Sequence, residues 1–452
     1  MKFPHDFVWG AATASYQIEG AQDEGGRGEC IWQRFSHTPG KVKNGDTGDI
    51  ACDHLHHYQL DVALMKSLGL QGYRFSVSWP RVIPQGTGKV NGEGLDFYDR
   101  LVDALLAEKI TPFLTLYHWD LPQALQDRGG GWENPDIVGW FADYADVVTR
   151  RLGDRVKHWA THNEPAVVAF VGNLIGRHAP GKTDPVAAYR VAHHVLLSHG
   201  AAIPVIRQNV PDAQAGIVVD IIPYHPATDS EADSQAVSLY DAFQNRWFLD
   251  PLFKGEYPAD LVAFLGDTLD GIDLDSVKAA AVPIDFLGIN YYRRNVIAAN
   301  PNGWLGGEVV PVEGAEITEM NWEVYPAGLT ESLVRVWRDY APTALYVTEN
   351  GAAFPEDVPT DGTLPLIVED PRRTAYYESH FAAVDDAIAQ GVPMKGYFAW
   401  SLLDNFEWGE GYSKRFGIIY VDFPTQRRIL KRSAHFYRDW IVRQMAAVPS
   451  ET

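Results

Sequence analysis

Cysteine is almost absent from this chain: Cys30 and Cys52 are the only two in 452 residues. That is too few for a disulfide framework, and no paired Cys/His spacing of the zinc-binding kind accompanies them. Long apolar runs are missing as well. No uncharged apolar stretch reaches the length of a membrane span, and the start MKFPHDFVWG lacks the basic-then-apolar pattern of a secretory leader. The sequence therefore predicts a protein that neither spans a membrane nor is secreted, with two unpaired thiols in the reducing cytoplasm. Positive charge is scarce too, with 38 Lys+Arg against 59 Asp+Glu and a formal charge of -21. Such a balance repels phosphate backbones and anionic lipid, which excludes nucleic acid and membranes as expected partners. No low-complexity tract or close repeat interrupts the chain.

What is plentiful is apolar and aromatic residue. The hydrophobic share is 46%, and there are 14 Trp, 21 Tyr and 20 Phe, material both for a large core and for stacking on sugar rings. Short apolar, β-branched or aromatic runs recur at Phe7 to Ala14, Gly72 to Val77, Pro112 to Tyr117, Val156 to Thr161, Gly216 to Ile221, Ile284 to Ile289, Ala344 to Thr348 and Lys395 to Ser401. Each has the length of a buried parallel strand. Between them lie segments of helical spacing, such as Leu55, Tyr58, Val62, Met65 and Leu68 ahead of a stop at Gly69, and the stretches Leu95 to Lys109 and Pro371 to Gln390.

Eight alternations predict an α/β fold, a (β/α)8 TIM barrel, and no GxGxxG follows the first strand to suggest a dinucleotide site. The length would permit two or three domains, yet the surplus falls inside the repeating units, at Gly351 to Pro371 and Asn300 to Pro326. A single domain spanning 1–452 with enlarged βα loops is the expectation.

Chemistry gathers where the predicted strands end, the end at which a barrel builds its active site. The first strand leads to Gln17 and Glu19, the second carries Arg74, the third ends in His118-Trp119-Asp120 and the fourth in His162-Asn163-Glu164-Pro165. The fifth ends at Asp220, the sixth in Asn290-Tyr291-Tyr292, the seventh in Glu349-Asn350-Gly351. The eighth runs through Trp400 to Asp404, Asn405, Glu407 and Trp408. A pocket of carboxylates, amides and indoles results. Two carboxyl groups flanking a glycosidic bond can cleave it, one as acid and one as anion, and Glu164 and Glu349 are the candidates, each followed by a turn residue. The plainer alternative for a lone Glu is a helix cap or an ion pair. His54, His56, His57 and the pair His193-His194 are read as solvated or interhelical residues, with no metal or cofactor expected. Lys414 and Arg415 are read as solvated loop charges.

At these residues the chain resembles family 1 of the glycoside hydrolases, the β-glucosidase family. The match runs from Phe7 to about Trp440 through FVWGAATASYQIEGA, YRFSVSWPRV, LYHWDLPQAL, NEP at 163 to 165, FLGINYY, YVTENG and YFAWSLLDNFEWGEGYSKRFG. The resemblance implies a retaining β-glycosidase with Glu164 as acid/base and Glu349 as nucleophile. It also implies a sugar-binding set of Gln17, His118, Trp119, Asn163, Tyr292, Trp322, Trp400, Glu407 and Trp408, with Arg74, Asn290 and Tyr292 supporting the nucleophile. The implied partners are small β-glycosides, either cello-oligosaccharides or aryl and alkyl β-glucosides, and a homo-oligomer is left open. A chiefly transglycosylating enzyme and a non-catalytic sugar-binding relative are the alternatives. Three positions depart from the family pattern: His162 in place of an apolar residue, Asn173 in place of Tyr, and Asp220 in place of Asn.

Overall fold

The computed structural model describes residues 3–356, 358 and 364–446. Its centre is a closed barrel of eight parallel strands, β1 (Val8–Ala12), β2 (Gly72–Ser76), β3 (Thr111–Tyr117), β4 (His158–Asn163), β5 (Gln214–Asp220), β6 (Phe286–Asn290), β7 (Leu345–Asn350) and β8 (Met394–Trp400). Each pairs with its neighbours in chain order, and β8 returns to β1 through the register Val8↔Gly396 to Ala12↔Trp400. Helices fill the crossovers: α1 (His54–Ser67), α2 (Gly92–Ala107), α3 (Ile137–Leu152), α4 (Pro185–Asn209), α5 (Glu231–Asp241, running on to Lys254), α6 (Pro326–Tyr340), α7 (Pro371–Ala389) and α8 (Arg432–Ala446). All eight apolar runs of the sequence form barrel strands, because a strand covered on both faces must be apolar along its length.

The helical spacing also has its physical outcome. On α2, Leu95, Tyr98, Leu101, Val102 and Leu105 turn inward and are buried, the apolar stripe of a helix lying on a sheet. The stop after α1 falls at Gly69, whose φ of 71° lies in the left-handed region that glycine enters without steric cost.

The floor of the barrel is aromatic. Phe113 stacks on His158 at 4.0 Å and meets Phe398 and Tyr346 edge-on at 4.8 and 5.6 Å, while Phe286 meets Tyr346 at 5.4 Å. Room for these rings comes from Gly10, where a Cβ would sit 2.5 Å from the Phe398 ring. The plug makes the barrel a packed core with one open end.

The enlarged loops contain more structure than the sequence predicts. Within the Asn300 to Pro326 region, read as loop, Gly307–Val310 pairs antiparallel with Asn295–Ala299, which pairs parallel with Tyr224–Pro226. Such strands of three to five residues, partly exposed, leave little periodicity to read. The segment from Gly351 to Pro371 joins β7 to α7 as expected; residues 357 and 359–363 of it lie outside the described residues. After β8, Ile419–Asp422 and Arg427–Leu430 form a hairpin. Among the described residues no helix is long and apolar enough to cross a membrane.

Candidate active site

The C-terminal strand ends surround a cavity of about 690 Å³, open to solvent, whose wall includes Glu164, Glu349, Glu407, His118, Trp119, Tyr292, Trp322, Trp400 and Trp408. Gln17, Arg74 and Asn163 are buried behind that wall and reach it through hydrogen bonds. The β-register explains the convergence. Asp220 and Glu349 are both strand partners of Asn290, and Arg74 is the partner of Ala12 on β1.

Glu349 at the end of β7 is held by two donors. Arg74 Nη1 bonds Oε1 at 2.6 Å and the Tyr292 hydroxyl bonds Oε2 at 2.7 Å. Arg74 is itself fixed by Asn163 Oδ1 at 2.6 Å. Glu164 follows β4 with φ at 50°, a left-handed conformation costing about 1–2 kcal/mol for a residue with a Cβ. Its N–H bonds Val218 O at 2.9 Å and anchors the turn. Trp119 and Trp408 also carry positive φ, at 79° and 48°, so backbone strain collects around the cavity.

Asn290 does more than the resemblance implies. Besides favouring the Glu349 anion, its amide nitrogen donates to Glu164 Oε1 at 2.6 Å and to Asn163 Oδ1 at 3.1 Å. The cause lies on β7: the Thr348 hydroxyl donates to Asn290 Oδ1 at 2.7 Å and turns the NH2 group toward β4.

Electrostatics separate the two carboxyl groups. Burial pushes Glu164 well above the ordinary glutamate range, and the charges of Asp220 and Glu349 push further, against the Asn290 hydrogen bond and Arg74. Burial raises Glu349 as well, but Arg74 and the Tyr292 hydroxyl pull it back toward the charged form, helped by Asn290. Glu407 is pushed up to about 8 by burial and by the Glu349 charge. His118 lies well below its usual value through burial and Arg74, which leaves the imidazole neutral.

Around the carboxyls stand flat apolar faces and amides. The His118 ring stacks 5.9 Å from Trp400 and 5.9 Å from Trp408, at 18° to each. Trp119 Nε1 donates to Asn163 O at 2.8 Å, and Asn163 Nδ2 meets His118 Nε2 at 3.1 Å. Gln17 Nε2 reaches Asn405 Oδ1 at 3.0 Å and Glu407 Oε2 at 3.4 Å. Trp322 packs 5.3 Å from Tyr292 in the same cavity wall.

Of the remaining residues, Arg415 falls elsewhere than the sequence suggests, while His162 is the hydrogen-bonded core histidine expected between strand and helix. Arg415 is no solvated loop charge: it pairs with buried Asp404 at 2.8 Å and covers the Tyr420 ring. Lys414 does line the cavity. His162 bonds Ser198 at 2.8 Å and stacks on Phe141 at 4.4 Å, a core position between β4 and the helices. Asn173 is buried, donates to Val168 O, and lines a separate small cleft with Trp119 and His178. His54 pairs with Asp61, and His193 bonds Tyr257 and Ser276. Sequence reasoning overlooked Gln244 and Arg293, which line the cavity. Arg293 continues the strand-end run Asn290-Tyr291-Tyr292, a signal that could have marked it; Gln244 lies in a helix and carries none.

A closed barrel with two buried carboxyls of unlike surroundings at its mouth defines a class, the barrel glycoside hydrolases. Within it the chain belongs to glycosyl hydrolase family 1, whose family model matches residues 1–445. Among similar proteins, beta-glucosidase A of Thermotoga maritima is 48% identical over 96% of this chain and 97% of its own length. A 1,4-beta-D-glucan glucohydrolase of Thermotoga neapolitana is 49% identical over 97% and 98%. The solved structure of the Thermotoga maritima β-glucosidase in complex with deoxynojirimycin superposes with a TM-score of 0.95 at 48% identity, covering 98% of this chain and 99% of that one.

Proposed function

We propose that the protein is a retaining β-glucosidase, hydrolysing terminal non-reducing β-D-glucosyl residues through a covalent glycosyl-enzyme, with Glu349 as nucleophile and Glu164 as acid/base. The observation that carries this reading is the unequal treatment of the two carboxyls. Glu349 accepts from an arginine and a phenol, which favour an anion able to attack. Glu164 is buried beside negative charge, which favours the protonated acid.

In the first step Glu164 gives its proton to the glycosidic oxygen as the bond from that oxygen to the anomeric carbon breaks. Glu349 forms the ester bond to the same carbon from the opposite face. In the second step ionised Glu164 takes a proton from water, whose oxygen displaces Glu349 and restores the original configuration. Arg74 and Tyr292 receive the returning carboxylate charge.

Gln17, His118, Asn163 and Glu407 offer donors and acceptors for sugar hydroxyls, while Trp400 and Trp408 offer apolar faces for its C–H side. A carboxyl at Glu407 suits a neutral hexose and opposes a phosphate at O6. Trp119 packs against His118 and Trp408 beside the sugar, and half-buried Trp322 would meet the aglycone, which suits cello-oligosaccharides or aryl and alkyl β-glucosides. That the relatives named above are β-glucosidases or glucan glucohydrolases supports the same substrate class. We read the chain as one catalytic domain, since one apolar cluster extends from Phe7 to Ile441. A cytoplasmic setting fits its two free buried thiols.

Product stereochemistry tests the assignment. Glu349→Gly loses turnover, and azide then yields the α-glucosyl azide. Glu164→Ala keeps the first step for substrates with very good leaving groups, and azide yields the β-product. Exchanged configurations overturn the two roles.

A further inference from the structure

Glu164 and Glu349 share the mouth of the barrel with further carboxyl groups, and Asp220 is the one tied to both through Asn290. Asn290 is the strand partner of Asp220 on one side and of Glu349 on the other, and its amide holds Glu164. Asp220, Glu164 and Glu349 all line the same cavity. The two chemical steps use the last two and leave Asp220 without a role. Its bonded partner is neutral: Gln244 Nε2 donates to Oδ2 at 2.5 Å. The negative charge is therefore stabilised without being cancelled by a bonded cation, and it acts on its neighbours.

We propose that Asp220 is a positioning residue for acid catalysis, whose carboxylate keeps the proton on Glu164 and thereby sets the alkaline limit of turnover. This rests on Glu164 being the acid/base.

The groups facing Glu164 come from four strands. Arg74 on β2 and the Asn290 amide on β6 favour its anion; Asp220 at the end of β5 and Glu349 on β7 favour its acid form. After burial, Asp220 is the largest influence on Glu164, ahead of Glu349. Asp220 in turn faces Gln244, Arg293 and Glu349. Burial raises it to about 6, so it carries its charge through the neutral range in which Glu164 must stay protonated.

The two negative neighbours also differ through the cycle. Once Glu349 is esterified its charge is gone, whereas Asp220 keeps its own. In the second step Asp220 is the negative neighbour that remains, and it makes ionised Glu164 a stronger base toward water.

The test is the pH dependence of kcat/KM for phenyl β-glucoside, a substrate whose leaving group needs the proton, in Asp220→Asn and Asp220→Glu. The alkaline limb of Asp220→Asn is expected about one pH unit lower, the size of one nearby charge in a half-buried site, and Asp220→Glu should restore it. With a 2,4-dinitrophenyl glucoside, which departs unprotonated, Asp220→Asn should lose little rate at high pH. Gln244→Leu provides a second variant: without its donor Asp220 stays protonated to higher pH, and the limb should move in the same direction. The proposal is overturned if neither variant moves the limb, or if the limb moves equally for both substrates. Failure of the underlying reading is separate, since Glu164→Ala would then give no β-azide whatever Asp220 does.

Discussion

The two ends of the barrel are built from the same eight strands and obey opposite rules. At the floor, Phe113, His158, Phe286, Tyr346 and Phe398 close ring against ring, and the space for them is made by glycine. At the mouth, Arg74, Asn163, Glu164, Asn290 and Glu349 are just as buried but joined by hydrogen bonds of 2.6 to 3.1 Å. The floor gains stability from apolar area and dense packing. The mouth gains little: it holds carboxyls away from water, with burial pushing both Glu164 and Glu349 upward. One end supplies the free energy that allows the other to stay strained and charged.

Substitutions at the two ends should separate stability from activity. The largest effect belongs to the floor. Phe398→Ala removes the ring that Gly10 and Phe113 pack against and should cost about 3–5 kcal/mol of unfolding free energy. Urea titration measures the loss, while kcat/KM per folded molecule at low temperature should stay within a few-fold. A comparable loss of turnover in the folded fraction would mean the two ends are coupled.

Arg74→Met reverses the pattern. Its guanidinium donates to Glu349 and to Asn163, and its removal should lower kcat/KM by about 100- to 1000-fold, the scale of losing one charge-stabilising donor. Tm should change far less than for Phe398→Ala. If Tm falls equally and the rate does not, Arg74 serves the fold and not the chemistry.

The smallest effect sharpens the comparison through pH. Glu407 is raised from the ordinary 4.5 to about 8 by burial and the Glu349 charge. Between those two values the folded chain holds a proton that the unfolded chain releases, so this group's contribution to stability falls as pH rises through that window. Glu407→Gln removes the dependence: its Tm should be close to wild type at pH 4.5 and higher than wild type at pH 8 and above. The same variant should lose about 0.5–1.5 kcal/mol of transition-state binding for a neutral glucoside at pH 7, the net value of a hydrogen bond to an uncharged group. A Tm difference that does not vary with pH would show that Glu407 is not titrating as a buried acid.

Much of the molecule was legible in its sequence. The eight barrel strands appear as apolar runs because both their faces are covered, and the residues at their C-terminal ends could be named because a parallel barrel points them all to one mouth. Motif resemblance added the roles expected of Glu164 and Glu349. The short strands at Tyr224–Pro226, Asn295–Ala299 and Gly307–Val310 stayed hidden because three to five half-exposed residues carry no clear period. Arg415 looked like a loop charge because nothing in its neighbours reveals that Asp404 is buried beside it.

What the chain alone determined is which residue types stand at each strand end, since alternation, strand length and turn residues are local properties written in order along it. Only the closed tertiary structure decided which way an amide faces and what charge a carboxyl carries. Thr348, 58 residues from Asn290, turns that amide toward Glu164. The charges of Asp220 and Glu349, from different strands, act together on Glu164. Hydrogen-bond direction and electrostatic potential depend on distance through space, and closure of the barrel sets those distances.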